Sequence, residues 1–307
     1  MKISAVVPCF NAAPWIGAAL ASVAAQRLPV YEILVIDDGS TDGSVEAIEA
    51  SGVPVRLLRT GRMGGAGARN AGIRAATGDW IAFLDADDVW HEDHLARARD
   101  LLRDEVAFLA HYDRLGLDGT ITPLPAFWPI DAPRGGLDHR DFLRLFLGHQ
   151  FFGTGALVVR RQRLLDVGLF DESQVRRHDL ELWLRVVAGQ RWCFDPRPAY
   201  AYREETPGSL SKDLPARERD FLLALVKNRA RLASPEMDAL LRLGARRAVS
   251  HAFMHGTAAD RRAAMELAAP FLAPRDRAVF AAASLAPPAF RLLNRARQRL
   301  IGPLAPP

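Results

Sequence analysis

The chain has 307 residues, with 40 Lys and Arg against 36 Asp and Glu and a formal net charge of +4. Hydrophobic residues make up 49% and charged residues 25%, which excludes a disordered or fibrous chain and leaves room for one large domain or two small ones with a substantial core. No apolar run is long enough to span a bilayer, and the short one before Pro8 lacks the length of a signal-peptide core.

In chain order, residues 3–8 predict a strand, Cys9-Phe10-Asn11 a turn, and Ala12 to Gln26 a helix with Trp15, Ile16, Leu20 and Val23 on an apolar stripe. Residues 33–36 predict a second strand ending in Asp37-Asp38-Gly39-Ser40-Thr41-Asp42. Ser40 or Asp42 is placed to cap a helix over Val45 to Ala50. Residues 55–58 read as a third strand, Gly61 to Gly67 as a flexible loop and Ala68 to Ala76 as a helix. Trp80 to Trp90 begins as a short apolar run suited to the interior of a parallel sheet and carries Asp85, Asp87 and Asp88 at its end. Strands alternating with helices imply βαβ units and a Rossmann-like, mostly parallel central sheet with flanking helices.

In such a sheet, ligands bind beyond the carboxyl ends of the strands. Three of these ends are polar: Phe10-Asn11, Asp37-Asp38, and Asp85/Asp87/Asp88. Crowded carboxylates repel unless a positive charge sits among them, and Mg²⁺ or Mn²⁺ shared with a diphosphate meets that need. The other reading is an acidic loop capping the next helix, with Asp88 as N-cap and Glu92 or Asp93 on its dipole. The glycine loop Gly64 to Gly72 is no dinucleotide fingerprint, because it follows the third strand and has Asn70 where the third glycine belongs. Its glycines, Gly65 among them, let backbone approach a nucleotide with Arg69 near its phosphates, or else it is a plain connection with Arg69 in a surface ion pair.

Val6-Val7-Pro8-Cys9-Phe10-Asn11, Val35-Ile36-Asp37-Asp38-Gly39-Ser40-Thr41-Asp42, Ala68-Arg69-Asn70-Ala71-Gly72-Ile73 and Phe83-Leu84-Asp85-Ala86-Asp87-Asp88 follow in an order and spacing that resembles the family 2 glycosyltransferases. The resemblance implies an α/β fold of GT-A type and inverting transfer of one sugar from a nucleotide-diphosphate donor, most often a UDP-sugar. By that resemblance Pro8 and Phe10 line the base site and Asp37 and Asp38 contact base or ribose. Asn11, Gly65, Arg69, Asn70, Asp85 and Ala86 complete the nucleotide-sugar site. Asp85 and Asp87 form the Asp-x-Asp pair for Mn²⁺ or Mg²⁺, with Asp87 the direct ligand.

Further on, Gly153 to Arg161 reads as a strand leading into a helix. Phe170-Asp171-Glu172 and Arg177-His178-Asp179-Leu180-Glu181-Leu182-Trp183-Leu184-Arg185 resemble the family's Phe-Asp-Glu and Glu-Asp-x-x-Leu-Trp-x-Arg. Asp179 falls on the general base, which takes the acceptor hydroxyl's proton; Trp183 falls within the same pattern, or else inside an amphipathic helix. His178 replaces the family's Glu. Arg203, at the end of Tyr200-Ala201-Tyr202-Arg203, precedes Glu204-Glu205-Thr206, which stands where the family has x-His and is one residue longer. Glu205 is the candidate to supply the missing oxygen. Gln190-Arg191-Trp192 lacks the spacing of the processive members' Q-x-x-R-W, which implies single additions.

Between these regions, Phe108 to Tyr112 predicts a strand, Asp118-Gly119 a hairpin turn, and Pro123 to Gly136 a loop whose Phe127 and Trp128 stack on an acceptor sugar or pack beneath the loop. From Leu214 the pattern is helical and basic, 16 Lys and Arg against 7 Asp and Glu, while the remainder carries 24 against 29. The chain therefore divides into a catalytic domain, residues 1–213, and a C-terminal helical extension, residues 214–307. Its last helix, 290–301, is basic and amphipathic, and either lies on an anionic membrane surface or presents a solvated face. The expected partners are a nucleotide-sugar donor and a glycan or lipid-linked acceptor, with no nucleic acid, and a homodimer is left open. Two distant cysteines, Cys9 and Cys193, suit a cytoplasmic protein, soluble or peripheral on the inner membrane face. The rival readings are a nucleotidyltransferase, which gives Asp179 no special role, and a degenerate transferase that binds without turnover.

Overall fold

The computed structural model describes residues 1–124, 134–148, 153–204, 206 and 213–285. The chain separates into two compact units, one of Met1–Phe142 with Phe151–Ser209, the other of Leu143–Gln150 with Leu210–Pro307.

The first unit is built on one sheet. It opens with β1 (Ile3–Cys9), α1 (Ile16–Ala24), β2 (Glu32–Asp37), α2 (Ser44–Ala50), β3 (Arg56–Arg59), α3 (Gly64–Ala75) and β4 (Trp80–Phe83). It continues through β5 (Val89–Trp90), α4 (His94–Leu101), β6 (Ala107–Leu115), β7 (Ile121–Thr122), the first residues of α5 (His139–Gly148, of the second unit from Leu143 on), β8 (Val158–Arg160), α6 (Arg161–Asp166), α7 (His178–Val187) and β9 (Cys193–Arg203). The strand order is β3-β2-β1-β4-β8-β6-β9-β5, with β7 paired to β6. The β3-β2-β1-β4 half is wholly parallel, as the βαβ alternation predicts. Beyond it, β8 runs antiparallel to β4 and β6, while β6 and β9 are parallel.

Register explains why the polar ends meet. Cys9 pairs with Asp37, Asp37 with Arg59, and Val6 with Phe83, so the chain leaves β1, β2 and β4 on one edge. The strands before that edge are apolar and buried: Val6, Val7, Val35, Ile36, Ile81 and Phe83 are all 0% exposed. This rigid layer fixes where the carboxylates after it stand.

Several predicted boundaries move, each for a local reason. The first helix begins at Ile16, not Ala12, because the Ala12 and Ala13 N–H groups donate to Ser44 Oγ (2.8 Å) and Asp42 Oδ2 (3.0 Å) across the edge. The third strand is shifted to Arg56–Arg59. The predicted glycine loop is helical from Gly64, since α3 packs against β1 and β2. A side chain at Gly72 would place Cβ 2.4 Å from Val6 Cγ1, so the glycines serve close approach of helix to sheet. Gly153 to Arg161 opens with a 3-10 turn, Thr154–Ala156, before β8. Asp88 does not cap α4; that helix starts after Asp93. Asp118-Gly119 does turn β6 into β7, with Gly119 at φ 85°. Phe127 and Trp128 lie outside the described residues.

The second unit is helical: α8 (Leu214–Asn228), α9 (Pro235–His255), α10 (Ala258–Ala268) and α11 (Pro274–Leu285). Asp213, Ser234 and Thr257 cap α8, α9 and α10 with side-chain oxygens. Phe221, Leu225, Leu241 and Phe253 are buried between them, and Arg247 of α9 closes on the buried Glu218 of α8 at 2.7 and 2.9 Å. No described helix is long and apolar enough to cross a membrane, and residues 290–301 lie outside the description.

Candidate active site

At the first polar end, Phe10 is 46% exposed and carries the Arg62 guanidinium over its ring at 4.9 Å, so an aromatic face stands at the sheet edge beside half-buried Pro8. Asn11 adopts φ 50°, a conformation Asn tolerates. Its N–H donates to Ser40 Oγ (3.0 Å) and its Oδ1 accepts from Thr41 N (2.9 Å), which pins the loop after β2. Asp37 accepts from Ser40 N (3.1 Å) and lines a polar cavity of about 240 Å³ with Ser40, Thr41, Ser44, Glu46 and Arg59.

Asp38 is committed to the protein. Its Oδ1 accepts from Thr60 Oγ1 and Met63 N and its Oδ2 from Gly64 N, all at 2.7 Å. It therefore holds the start of α3. From there Gly65 O accepts from Arg69 NH1 (3.0 Å), and the NH2 of Arg69 bonds Asp85 Oδ1. Arg69 is buried, in an ion pair with Asp85 and not in a surface bridge. Gly65 leaves it room, since a Cβ there would lie 2.9 Å from NH1. Asn70, expected at the nucleotide, is 1% exposed and faces the other way. Its Nδ2 donates to Phe170 O (3.0 Å) and Glu172 Oε1 (2.8 Å), and its Oδ1 accepts from Phe170 N (2.9 Å). It thus fastens the Phe-Asp-Glu segment to α3.

The turn after β4 concentrates negative charge. Asp87 is half-buried, and burial followed by Asp85 pushes its carboxyl above the ordinary range. Asp88 is raised further by burial, then by Asp87 and Asp85. Its Oδ1 accepts from Arg203 N (2.9 Å), while Oδ2 is buried without a hydrogen-bond partner among the described residues. Ala86 is buried between these acids. Arg203 donates to Asp87 O (2.9 Å) and Gly116 O (2.7 Å), tying the turn to the β6–β7 hairpin. Thr206 Oγ1 donates to Asp87 Oδ2 at 2.7 Å. The hydroxyl of Thr206 thus reaches Asp87, while Glu205, the sequence's candidate for an oxygen at the diphosphate or metal, lies outside the described residues. Among the described residues no three His, Cys, Asp or Glu side chains gather as a complete cage for a metal.

Asp179 is the second residue of α7, half-buried, with its Oδ1 accepting from Leu180 N (2.8 Å). His178 faces Arg69: Nε2 lies 3.1 Å from NH1, and Nδ1 3.2 Å from Val175 O. Trp183 is core, 0% exposed and packed on Phe142 and Trp192. Sequence reasoning missed the work of Arg185. It grips Glu181 (2.6 and 2.9 Å) and reaches Leu169 O (2.6 Å) and Val167 O, bracing the positive-φ turn Gly168-Leu169 that presents Phe170 to Glu172.

The glycosyl transferase family 2 sequence model matches residues 4–166, more than half of the chain. The chain belongs to glycosyl transferase family 2. Among the relatives of this family 2 chain, amylovoran biosynthesis glycosyltransferase AmsB of Erwinia amylovora is 29% identical over 61% of this chain and 64% of its own. The UDP-Glc:alpha-D-GlcNAc-diphosphoundecaprenol beta-1,3-glucosyltransferase WfgD of Escherichia coli is 36% identical over 60% and 69%. The chain spans less than two thirds of the length of several curated relatives it matches. A crystal structure of S. aureus TarS 1-349 in complex with UDP-GlcNAc superimposes with a TM-score of 0.67 at 20% identity, over 88% of this chain and 80% of that one. The shared fold is GT-A.

Proposed function

We propose that this family 2 chain transfers one sugar, with inversion, from a UDP-sugar or related nucleotide-diphosphate sugar to a hydroxyl of a glycan or lipid-linked acceptor in cell-surface polysaccharide synthesis. The observation that carries the reading is one connected polar network. It runs from Asp38 at β2 through the start of α3 and Arg69 to Asp85 after β4, and through His178 to the helix that bears Asp179. Phe10 and Pro8 offer a stacking face for the base, and Asp37, which lines the polar cavity, an acceptor for base or ribose. The names of relatives such as WfgD, with a UDP-glucose donor and a lipid-diphosphate-linked acceptor, agree with this class.

The acidic turn fits a divalent cation. Two carboxylates raised by burial and mutual repulsion, and an orphaned buried oxygen on Asp88, are a donor set short of positive charge. Mg²⁺ or Mn²⁺ uses one or two carboxylates and completes its shell with substrate phosphates and water, so the lack of a full protein cage is no obstacle. Asp87 and Asp85 would hold it, and the ion would offset charge on the departing nucleoside diphosphate. The chain's own residues do the rest. Arg69 orients Asp85, and Arg203 and Thr206 orient Asp87. Asp179 takes the acceptor's proton as its oxygen attacks the anomeric carbon. Nucleotidyl transfer accounts for neither Asp179 nor its link to Asp85.

The test incubates the purified chain with a panel of nucleotide sugars and Mn²⁺ or Mg²⁺ and measures nucleoside diphosphate released. Metal-dependent release from one donor, lost in Asp87→Ala, is expected. Pyrophosphate release in its place would establish nucleotidyl transfer, and neither release nor metal-dependent nucleotide binding would overturn the transferase reading and leave the degenerate one standing.

A further inference from the structure

His178 stands where its family carries an acid, and its surroundings define one protonation state. Nδ1 faces a carbonyl, Val175 O, at 3.2 Å, so Nδ1 carries the hydrogen. Nε2 is then a bare acceptor, and it meets a donor that has hydrogens and nothing else, Arg69 NH1, at 3.1 Å. The ring is held edge-on against Phe170 (5.7 Å between centroids), which packs in turn on Phe83 of β4 and beneath the Arg69 guanidinium (5.8 Å). Arg69 spends its other terminal nitrogen on Asp85. One guanidinium therefore has a neutral acceptor on the acceptor-side helix and a charged one on the donor-side turn.

We propose that His178 is a positioning residue that, as a neutral Nδ1–H imidazole, registers the helix bearing Asp179 to Asp85 through Arg69. The proposal rests on Asp179 being the base. It explains why an uncharged residue serves at this position. A carboxylate here would give Arg69 two anionic partners, whereas imidazole satisfies the guanidinium and leaves its charge directed at Asp85. The charged groups that face the ring are Arg69 of α3, Asp179 of its own helix and Asp85 after β4; burial first and Arg69 next hold His178 below the ordinary imidazole pKa. Misplacing a base by about 1 Å can cost on the order of 100-fold in rate while leaving the nucleotide contacts intact. The coupling therefore belongs in kcat, not in donor KM.

Two measurements on the full chain test it. The first is the ring ¹⁵N spectrum of histidine-labelled protein at pH 7, with His178 assigned by its loss in His178→Gln. The pattern of a neutral Nδ1–H tautomer is expected; an imidazolium or an Nε2–H tautomer overturns the proposal whether or not transfer is observed. The second compares His178→Phe, which keeps the ring stack without the acceptor, with His178→Gln, which returns an acceptor oxygen. The Phe variant is expected to lose about 10- to 100-fold in kcat, the worth of one hydrogen bond to a charged group, with donor KM changed less than about threefold. The Gln variant should recover most of the loss. Equal thermal unfolding of all three proteins with no rescue by Gln, or with the whole effect in KM, overturns it. Absence of nucleoside diphosphate release by the wild-type chain would instead count against the transfer reading, and the tautomer would still decide the contact.

Discussion

At position 94 a histidine is sealed into an aromatic slot, 0% exposed, with Trp90 and Phe108 rings 5.1 and 5.8 Å away and neither ring nitrogen hydrogen-bonded among the described residues. Burial, then Arg97 and His91, push its pKa down to about 3. The folded pKa lies below the unfolded one, so this group's contribution is intact above the ordinary pKa near 6.5 and is lost as pH falls toward 3. The loss is at most about 1.4 kcal/mol per pH unit inside that window. His94→Phe replaces two unpartnered polar atoms with carbon in an apolar slot. It is expected to unfold at higher urea at pH 7 and to flatten the decline in stability between pH 6 and 4; an unchanged acid decline would assign it to other groups. At the turn proposed to hold the cation, Thr206 supplies Asp87 with an orienting hydroxyl. Groups that orient a metal ligand typically contribute about 10- to 100-fold to affinity. Thr206→Val is expected to weaken Mn²⁺ binding by about tenfold in calorimetric titration with UDP present, Thr206→Ser to restore it, and Asp87→Ala to abolish it. The place of Asp85 and Asp87 just beyond the end of β4 was legible because the apolar run before them reads as a buried strand of a parallel sheet. The sequence did not disclose Thr206, because which side chain of a lengthened loop turns inward depends on the neighbouring strand.

Among the elements, α3 shows how a correct residue can be read into the wrong structure. Its glycines predict a flexible loop, since glycine is costly within helices. The fold accepts that cost because α3 must lie close against β1 and β2, and the residues it carries, Arg69 and Asn70, act only from there. Gly72→Ala would force Cβ to 2.4 Å from Val6 Cγ1 and 3.2 Å from Ile36 Cδ1, both in the packed core. Overpacking of this kind costs about 1–3 kcal/mol, against a helix-propensity gain of about 1 kcal/mol. Net destabilisation in urea is expected, with a fall in activity beyond the loss of folded protein because Arg69 shifts. Had the glycine served flexibility alone, alanine would stabilise the helix. The same logic separates Asn70 from its expected role. A polar residue beside an arginine expected near phosphates reads as a ligand, but the helix turns by about 100° per residue, and that step takes Asn70 from the side where Arg69 meets Asp85 to Phe170.

Across the molecule, the parallel half of the sheet was legible because each strand and its returning helix are neighbours in sequence. The half built from β8, β6 and β9 was not, because its partners lie tens of residues apart and a short apolar run carries no label for its partner. Charge is the other property visible only at this scale: +9 from Leu214 onward and −5 before it. The acidic part holds the proposed metal and donor site, and the basic part holds no candidate catalytic residue, so its excess calls for a different partner. Four arginines, Arg291, Arg295, Arg297 and Arg299, fall within the final amphipathic stretch. At about 1 kcal/mol per basic residue beside an anionic surface, the four together amount to about 4 kcal/mol, close to a thousandfold in partition. The full chain is therefore expected to sediment with phosphatidylserine vesicles at low salt and to be released as screening shortens the range of the attraction. It should not sediment with phosphatidylcholine alone. Replacing the four arginines with glutamine should abolish sedimentation and leave donor turnover with a soluble acceptor unchanged. Equal sedimentation of the substituted chain would mean that this stretch contributes nothing to the attraction. A lipid-linked acceptor makes such an arrangement useful, because an enzyme held at the membrane surface searches two dimensions for its acceptor and draws its donor from solution.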